Sequence, residues 1–560
     1  MAADHFPFVG QQENSMQMLD AADELLRAGR FGEAETLCRR IVEREPDNAE
    51  AHYFLGLIAF EGNALDRSER HLSRAVSLIP DDPVFLCNLG NVQHARGDLV
   101  ASEKSFREAV RYDDTLSQAH ANLGLVLTQI GKLDEGISEL QKALSFNPED
   151  VEAHLNLGNA LREQNAFRDA IVHYRRAIEL APDYDQAHRN MGVALAQTGK
   201  FDEAVASLRR SLELQPQSTH AFTELGLILI EAGKLEEAAE HLIGPVCAFR
   251  SVRERPPEEF PEFDKINKTK LTHDIEQLEY LLDRRKVSAD HRALVADYKD
   301  ALNRLGEHYE GKLSAFDPPA SVRLRSSYNR ILYHAPAAQV PGGALSPGLD
   351  LAKIENDFLT SEHGFAFFDG LLKEEALTAL HAFCLDSTIW CLLDYPDELE
   401  SNLLTGFACP LIFQIATDIK AAFPKIFGPH AFSSCWAYKY FQRKSGLGVH
   451  CDDGAVSINF WITPDEANND PDAGGLVMWN KKVPRDFLGE MTEERQERFK
   501  RVLNEPDAQS FRVPYGCNRA VLFHSNVLHG TDAIDFKPGY ENNRINMTFL
   551  YGKAPKGVSG

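Results

Sequence analysis

Basic residues are scarce beside acidic ones: 59 Lys and Arg stand against 84 Asp and Glu, a formal net charge of −25. That balance argues against nucleic acid and anionic membrane as partners, because phosphate binding rests on Lys and Arg. Cysteine is sparse too. The nine are Cys38, Cys87, Cys247, Cys384, Cys391, Cys409, Cys435, Cys451 and Cys517. The number is odd and no CxxC pair occurs, which fits reduced thiols in a cytoplasmic compartment. No apolar run reaches transmembrane length, so no membrane span is expected. Met1 to Gln12 lack the basic-then-apolar order of a signal peptide. What remains is an ordinary globular balance, 43% hydrophobic and 26% charged over 560 residues. That length exceeds one hydrophobic core and predicts two or three domains.

The first half is periodic. Gly56, Gly90, Gly124, Gly158, Gly192 and Gly226 follow one another at 34 residues. Pro46, Pro80, Pro148, Pro182 and Pro216 keep that register, with Asp114 at the missing proline. A small residue recurs twelve after each glycine: Ser68, Ser102, Gly136, Ala170, Ala204 and Ala238. Each unit reads as two short amphipathic helices that small residues let approach closely, closed by a residue that cannot continue a helix. One unit cannot bury its apolar face alone, so the units must stack. Over residues 14–249, in seven units, this resembles the tetratricopeptide repeat family, which implies an all-α solenoid that binds a protein or peptide partner.

Asn88, Asn122, Asn156 and Asn190 recur at the same period. Stacking would align them along the first helices, on the concave side. They resemble the asparagine ladder of O-linked N-acetylglucosamine transferases, which implies partner binding through the peptide backbone; an amide both donates and accepts. The alternative is that these side chains meet only water. His52, His120, His154 and His188 repeat as well and are expected to pack or cap.

From 250 to 347 the period stops. Leu271, Ile275, Leu278 and Leu282 recur at helical spacing, as do Leu294, Tyr298, Leu302 and Leu305. Two helices are expected there, covering the last apolar face of the solenoid. Prolines 318 to 347, with Gly342 and Gly343, mark a linker. Beyond it, a strand is expected over Phe358–Phe368 and a helix over Leu371–Cys384. Strands are expected at Cys435–Gln442, Ala455–Ile462, Leu476–Trp479, Phe511–Val513, Ala520–Phe523 and Ile545–Tyr551. Short strands without intervening helices argue for a sandwich or jelly roll. The charged insert Arg485–Asp507 reads as helical, either a lid or a surface excursion.

Within these strands lies a chemical constellation. Residues two apart in a strand share a face, so His450 and Asp452 converge while Cys451 and Asp453 point away. His529 follows the apolar strand Ala520–Phe523 and would supply a third ligand. Two imidazoles and a carboxylate suit iron(II) with open coordination positions. Arg544 opens the final strand, and Asn546 and Thr548 continue a polar stripe in an otherwise apolar run. An arginine fork pairs bidentately with a carboxylate.

The run Tyr440…His450-x-Asp452…Gly474-Gly475-Leu476…Phe523…His529…Arg544 resembles the iron(II)- and 2-oxoglutarate-dependent dioxygenases, in their prolyl-hydroxylase-like branch. The resemblance implies a double-stranded β-helix (jelly-roll) domain with flanking helices over residues 348–556. It implies that His450, Asp452 and His529 bind iron(II) and that Arg544 holds the distal carboxylate of 2-oxoglutarate, with Tyr440 (or Tyr438) and Thr548 assisting. Molecular oxygen would be the second cosubstrate and ascorbate a reductant. His524 competes with His529, Asp453 with Asp452, and Arg519 with Arg544. The implied activity is hydroxylation of a polypeptide side chain, a prolyl residue first, with the repeats recruiting the substrate. A small or carrier-bound substrate, or a silent barrel in a repeat-based interaction protein, are the alternatives.

Overall fold

A computed structural model describes residues 14–251, 265–305, 314–315, 322–391, 398–403, 405–441, 443–444, 448–483 and 493–552. They form two compact units, Met1–Ser218 and Thr219–Gly560.

The first unit holds six antiparallel helix pairs. They are Ser15–Arg27 with Phe31–Arg44, Ala49–Glu61 with Leu65–Leu78, Pro83–Ala95 with Leu99–Tyr112, Ser117–Gln129 with Leu133–Phe146, Val151–Glu163 with Phe167–Leu180, and Asp185–Gln197 with Phe201–Leu214. The phased glycines mark where paired helices touch. A Cβ on Gly90 would stand 2.7 Å from the Phe106 ring, and one on Gly158 2.5 Å from Tyr174. Ser68 and Ser102 seal the same contact by donating to the carbonyls of Gly56 and Gly90, at 2.7 and 2.9 Å. Between the helices of each pair one residue is left-handed: Gly29, Asn63, Gly97, Gly131, Asn165 and Gly199. Where glycine is missing, asparagine occupies the slot, which its short side chain tolerates. The repeating histidines cap: Nε2 of His52, His120, His154 and His188 meets the carbonyls of Pro46, Asp114, Pro148 and Pro182 at 2.9–3.1 Å.

The second unit begins with a seventh pair, Thr219–Glu231 and Leu235–Ser251. Glu231 accepts from Lys420 Nζ at 2.5 Å and from the backbone N–H of Phe432 at 2.9 Å. The connector helices Lys268–Asp283 and His291–Leu305 exist, and with Val322–Ser327 they bury Leu271, Leu278, Tyr298, Leu324 and Tyr328 together. Their expected place as a cap on the solenoid is corrected. The first of them lies against the β-rich region, where Gln277 donates to the carbonyls of Leu385 and Ser387 (3.1 and 2.9 Å) and Arg284 pairs with Glu541. Beneath it Lys439, fully buried, meets His273 Nε2, the Cys384 carbonyl and the Tyr540 hydroxyl at 3.3, 3.4 and 2.9 Å.

The β-rich region has nine main strands: β1 (Phe365–Asp369), β2 (Glu398–Asn402), β3 (Phe432–Tyr440), β4 (Val456–Trp461), β5 (Leu476–Lys482), β6 (Ser510–Val513), β7 (Arg519–His524), β8 (Val527–Thr531) and β9 (Arg544–Tyr551). One sheet runs β1-β7-β4-β9-β3-β2 and another β8-β5-β6, antiparallel throughout. Their facing sides bury Tyr440, Trp461, Leu476, Met478, Val521, Phe523 and Val527 in one core. The expected strand Phe358–Phe368 is corrected: its first part is the helix Leu351–Leu359, and the strand begins at Phe365. Helix Pro410–Ala422 and strand β2 were not foreseen. In the insert, Glu493–Leu503 is helical as expected, while 484–492 lie outside the described residues. On this helix Phe499, Val502 and Leu503 pack with Cys451, Val483 and Leu528.

Candidate metal centre

His450 and Asp452 do not sit on a regular strand. His450 forms a single antiparallel bridge with His529, each backbone N–H bonding the other's carbonyl at 2.9 Å. Two residues on, the Asp452 N–H donates to Ser525 O at 2.8 Å. Three side chains are thereby set against one another by main-chain bonds rather than by strand alternation alone.

Ligand atoms of His450, Asp452 and His529 all lie within 4.8 Å of one another. His529 Nε2 is 3.7 Å from Asp452 Oδ1, and the two imidazole rings are 4.3 Å apart at 55°. Each imidazole turns Nδ1 to a backbone carbonyl, His450 to Gly448 at 3.1 Å and His529 to Val527 at 3.0 Å. A carbonyl demands a proton on Nδ1, which leaves the Nε2 lone pair for a metal. Burial, helped by the neighbouring His450, pulls the His529 pKa down to about 4, so its imidazole is neutral at physiological pH. The Ser457 hydroxyl donates to Asp452 Oδ2 at 2.7 Å and lies 2.8 Å from Ser525 Oγ. That bond fixes the carboxylate and leaves Oδ1 towards His529.

The rival residues lie elsewhere. His524 lies against Phe358 with ring centres 4.9 Å apart and planes tilted at 44°, Asp453 is exposed, and Arg519 pairs with Asp369. Cys451 packs with Val483, Phe499 and Leu528.

Arg544 is fully buried on β9. Its Nε donates to Gly474 O at 2.6 Å, Nη2 to Gly475 O at 3.3 Å and Nη1 to Asn546 Oδ1 at 3.2 Å. The guanidinium carbon is 4.8 Å from the Tyr440 ring centre and 5.7 Å from that of Trp461. Tyr440 OH lies 3.4 Å from Thr531 Oγ1, and Tyr438 lies beside Tyr440, ring centres 6.0 Å apart. Thr548 Oγ1 accepts from Asn459 Nδ2 at 2.8 Å. Sequence reasoning missed the β4 partners of this stripe. Ser457, Asn459 and Trp461 alternate along β4, and Asn459 and Trp461 stand opposite Thr548 and Asn546 of β9. Asn459 Oδ1 and Trp461 Nε1 are buried with no hydrogen-bond partner among the described residues.

In the helical array Asn88 donates to Val84 O and Tyr53 OH, at 2.9 and 3.2 Å. Asn122 Nδ2 reaches Asn91 Oδ1 of the preceding repeat at 2.7 Å, and Asn190 Nδ2 reaches Asn159 Oδ1 at 2.8 Å. Asn88, Asn122 and Asn156 are half-buried and Asn190 is buried. The acceptors Asn91 and Asn159 were not singled out in the sequence; they stand three after Asn88 and Asn156, one turn along the same face.

Among the described residues no helix is long and apolar enough to cross a membrane. Two family models match the chain in its repeats. A family model described as tetratricopeptide repeat matches residues 19–83 and 189–242, and another described as TPR repeat matches 124–164 and 158–199. A probable biofilm formation methyltransferase of Pseudomonas putida is 27% identical over 99 residues, 18% of this chain; the match spans 23% of that protein's length. Among solved structures, YrrB, a TPR protein with an unusual peptide-binding site, is 21% identical (TM-score 0.30; 35% of this chain and 98% of that one). The pilus biogenesis factor PilW is 18% identical (TM-score 0.35; 39% and 99%). The matched residues carry the phased glycines and helix pairs described above, and the helical array is a tetratricopeptide-repeat solenoid, a fold whose members generally bind protein or peptide partners.

Proposed function

We propose that the C-terminal region is a jelly-roll oxygenase using iron(II) and 2-oxoglutarate, and that it hydroxylates a polypeptide side chain, prolyl first, brought by the repeats. The observation that carries the reading is the convergence of His450, Asp452 and His529 within 4.8 Å, with both imidazoles oriented by their Nδ1 bonds. Two nitrogens and one oxygen suit iron(II) with positions left open. The strand order supports the fold, since the chain crosses repeatedly between two facing sheets, with His450 paired to β8.

The residues also fit the cosubstrate. Arg544 is a buried cation on the face that bears Thr548 and Asn546, and the buried Asn459 Oδ1 and Trp461 Nε1 call for a polar ligand. Iron(II) and 2-oxoglutarate, when bound, supply an oxidation by molecular oxygen in which 2-oxoglutarate loses carbon dioxide to become succinate and one oxygen atom enters a substrate C–H bond. The chain's own part is positional. His450 and His529 present Nε2, Ser457 keeps Asp452 turned inward, and Arg544 fixes the far end of the cosubstrate. Phe523, 4.6 Å from the His529 ring, and the surrounding core keep water out. Asn88, Asn122 and Asn190, with the capacity their inter-repeat bonds leave, and Asn156 would meet the partner's peptide groups.

Succinate release from 2-oxoglutarate under air, with iron(II) and ascorbate, tests the activity without knowing the substrate. Wild type is expected to turn over slowly, His450→Ala not at all, and Arg544→Lys only at raised 2-oxoglutarate. No turnover together with no retained iron refutes the proposal.

A further inference from the structure

Strand β4 carries polar atoms that its neighbours do not satisfy. Ser457, Asn459 and Trp461 share one of its sides, and the Ser457 bond to Asp452 identifies it as the metal side. Trp461 is 0% exposed and Asn459 5%, so neither indole nor amide exchanges its bonds with bulk water. Yet Trp461 Nε1 and Asn459 Oδ1 have no partner among the described residues. A buried indole N–H ordinarily finds an acceptor.

Their placement shows what would satisfy them. Trp461 pairs across the sheet with Asn546, which takes one N–H of Arg544, and its ring lies 5.7 Å from the guanidinium. Asn459 pairs with Thr548 and stands between Trp461 and Ser457. A hydroxyl both donates and accepts, so turning the Asn459 amide end over end keeps the Thr548 bond and presents N–H instead of oxygen inward. The side between the metal ligands and Arg544 then offers two N–H groups and one guanidinium, a surface for an anion rich in acceptors.

Resting on the oxygenase reading, we propose that Trp461 is a cosubstrate-binding residue of this chain. Its Nε1–H donates to the carboxylate held by Arg544, and Asn459 donates its amide nearer the metal. A dicarboxylate is thus gripped from β4 as well as β9, and the indole reports its arrival.

The test measures binding, not turnover. Full-length protein loaded with manganese(II) without oxygen is titrated with 2-oxoglutarate by calorimetry and by tryptophan emission. Wild type is expected to bind with a change in emission. Trp461→Phe is expected to bind about tenfold more weakly and to lose most of that change, and Asn459→Asp, which sets an anion against an anion, to weaken binding further. Wild-type affinity in Trp461→Phe overturns this inference and leaves the oxygenase reading standing. Manganese binding without any 2-oxoglutarate binding in wild type overturns both. Should the variants not fold, the wild type decides alone. In zinc(II)-loaded protein with 15N-indole tryptophan, one of the four indole N–H signals is expected to move downfield on adding 2-oxoglutarate; four unmoved signals refute the inference.

Discussion

Ser457 decides how Asp452 presents its oxygens. Its hydroxyl holds Oδ2 at 2.7 Å, and with that oxygen committed, Oδ1 is the one near His529 Nε2. Partners behind metal ligands typically carry about 10–100-fold in affinity or activity. Ser457→Ala is therefore expected to weaken iron(II) binding by about tenfold or more and to cost about 1–3 kcal/mol of stability, because the buried Asp452 carboxylate and Ser525 Oγ each lose a partner. Equilibrium dialysis against iron(II) under nitrogen reads the effect; unchanged affinity would show that the carboxylate is oriented by other means. The candidate ligands were visible as a His450-x-Asp452 pair with a distal His529, and the Arg544–Asn546–Thr548 stripe because polar residues there interrupt an apolar run. Ser457, Asn459 and Trp461 were not. A serine, an asparagine and a tryptophan in a strand are unremarkable by pattern, and an unsatisfied N–H exists only once the surrounding strands are in place.

The repeat helices are legible for a related reason. Each pair packs on its sequence neighbours, so the rule joining Gly158 to Tyr174 also joins Gly90 to Phe106, and period alone reveals it. What varies between repeats is the position nineteen after the capping histidine. In two repeats it is a second histidine, with His52 and His71, and His154 and His173, meeting Nδ1 to Nδ1 at 3.1 Å; after His120 and His188 it is Glu139 and Ser207. Each pair shares one proton between two nitrogens. Burial lowers the pKa of His71, His154 and His173, and the partner histidine adds to this for His71 and His173. Arg67, Arg70 and Arg39 press on His71 in the same sense and Arg176 on His154, while Asp150 and Asp169 oppose. A histidine with a depressed folded pKa binds protons first in the unfolded chain. Its stabilising contribution is full above about pH 6.5 and is lost as pH falls below that value. The array is expected to melt progressively lower from pH 7 to pH 5. Replacing His71 and His173 by serine, a residue this chain itself uses there, is expected to flatten that slope in circular-dichroism melts; an unaltered slope would place the sensitivity elsewhere.

At the scale of the whole molecule, period and burial disagree about where one body ends. The 34-residue register runs on through Gly226, and the solenoid read from sequence ends at 249. The compact units divide at Ser218, before the seventh helix pair. The reason is physical: Thr219–Glu231 obeys the repeat rule with its own partner helix, yet Glu231 spends its carboxylate on Lys420 and the Phe432 N–H. No spacing in the sequence announces such bonds, just as none told which body the connector helices would join; an amphipathic stripe declares that a face is buried, not by what. Glu231 and Lys420 keep 18% and 26% of their side-chain exposure, so screening trims their mutual attraction, while the Phe432 N–H opens β3 at a half-buried bond. Glu231→Ala is accordingly expected to cost about 1–2 kcal/mol, chiefly through the unpaired N–H. That cost should fall on the transition that also loses the metal site. Calorimetry of the full chain, with and without manganese(II), distinguishes the two bodies: added metal should raise only the transition that carries His450, Asp452 and His529. If Glu231→Ala lowers that same transition and spares the other, the last repeat belongs to the β-rich body. If it lowers the metal-insensitive transition instead, the seventh pair melts with the repeats and the division at Ser218 does not describe folding.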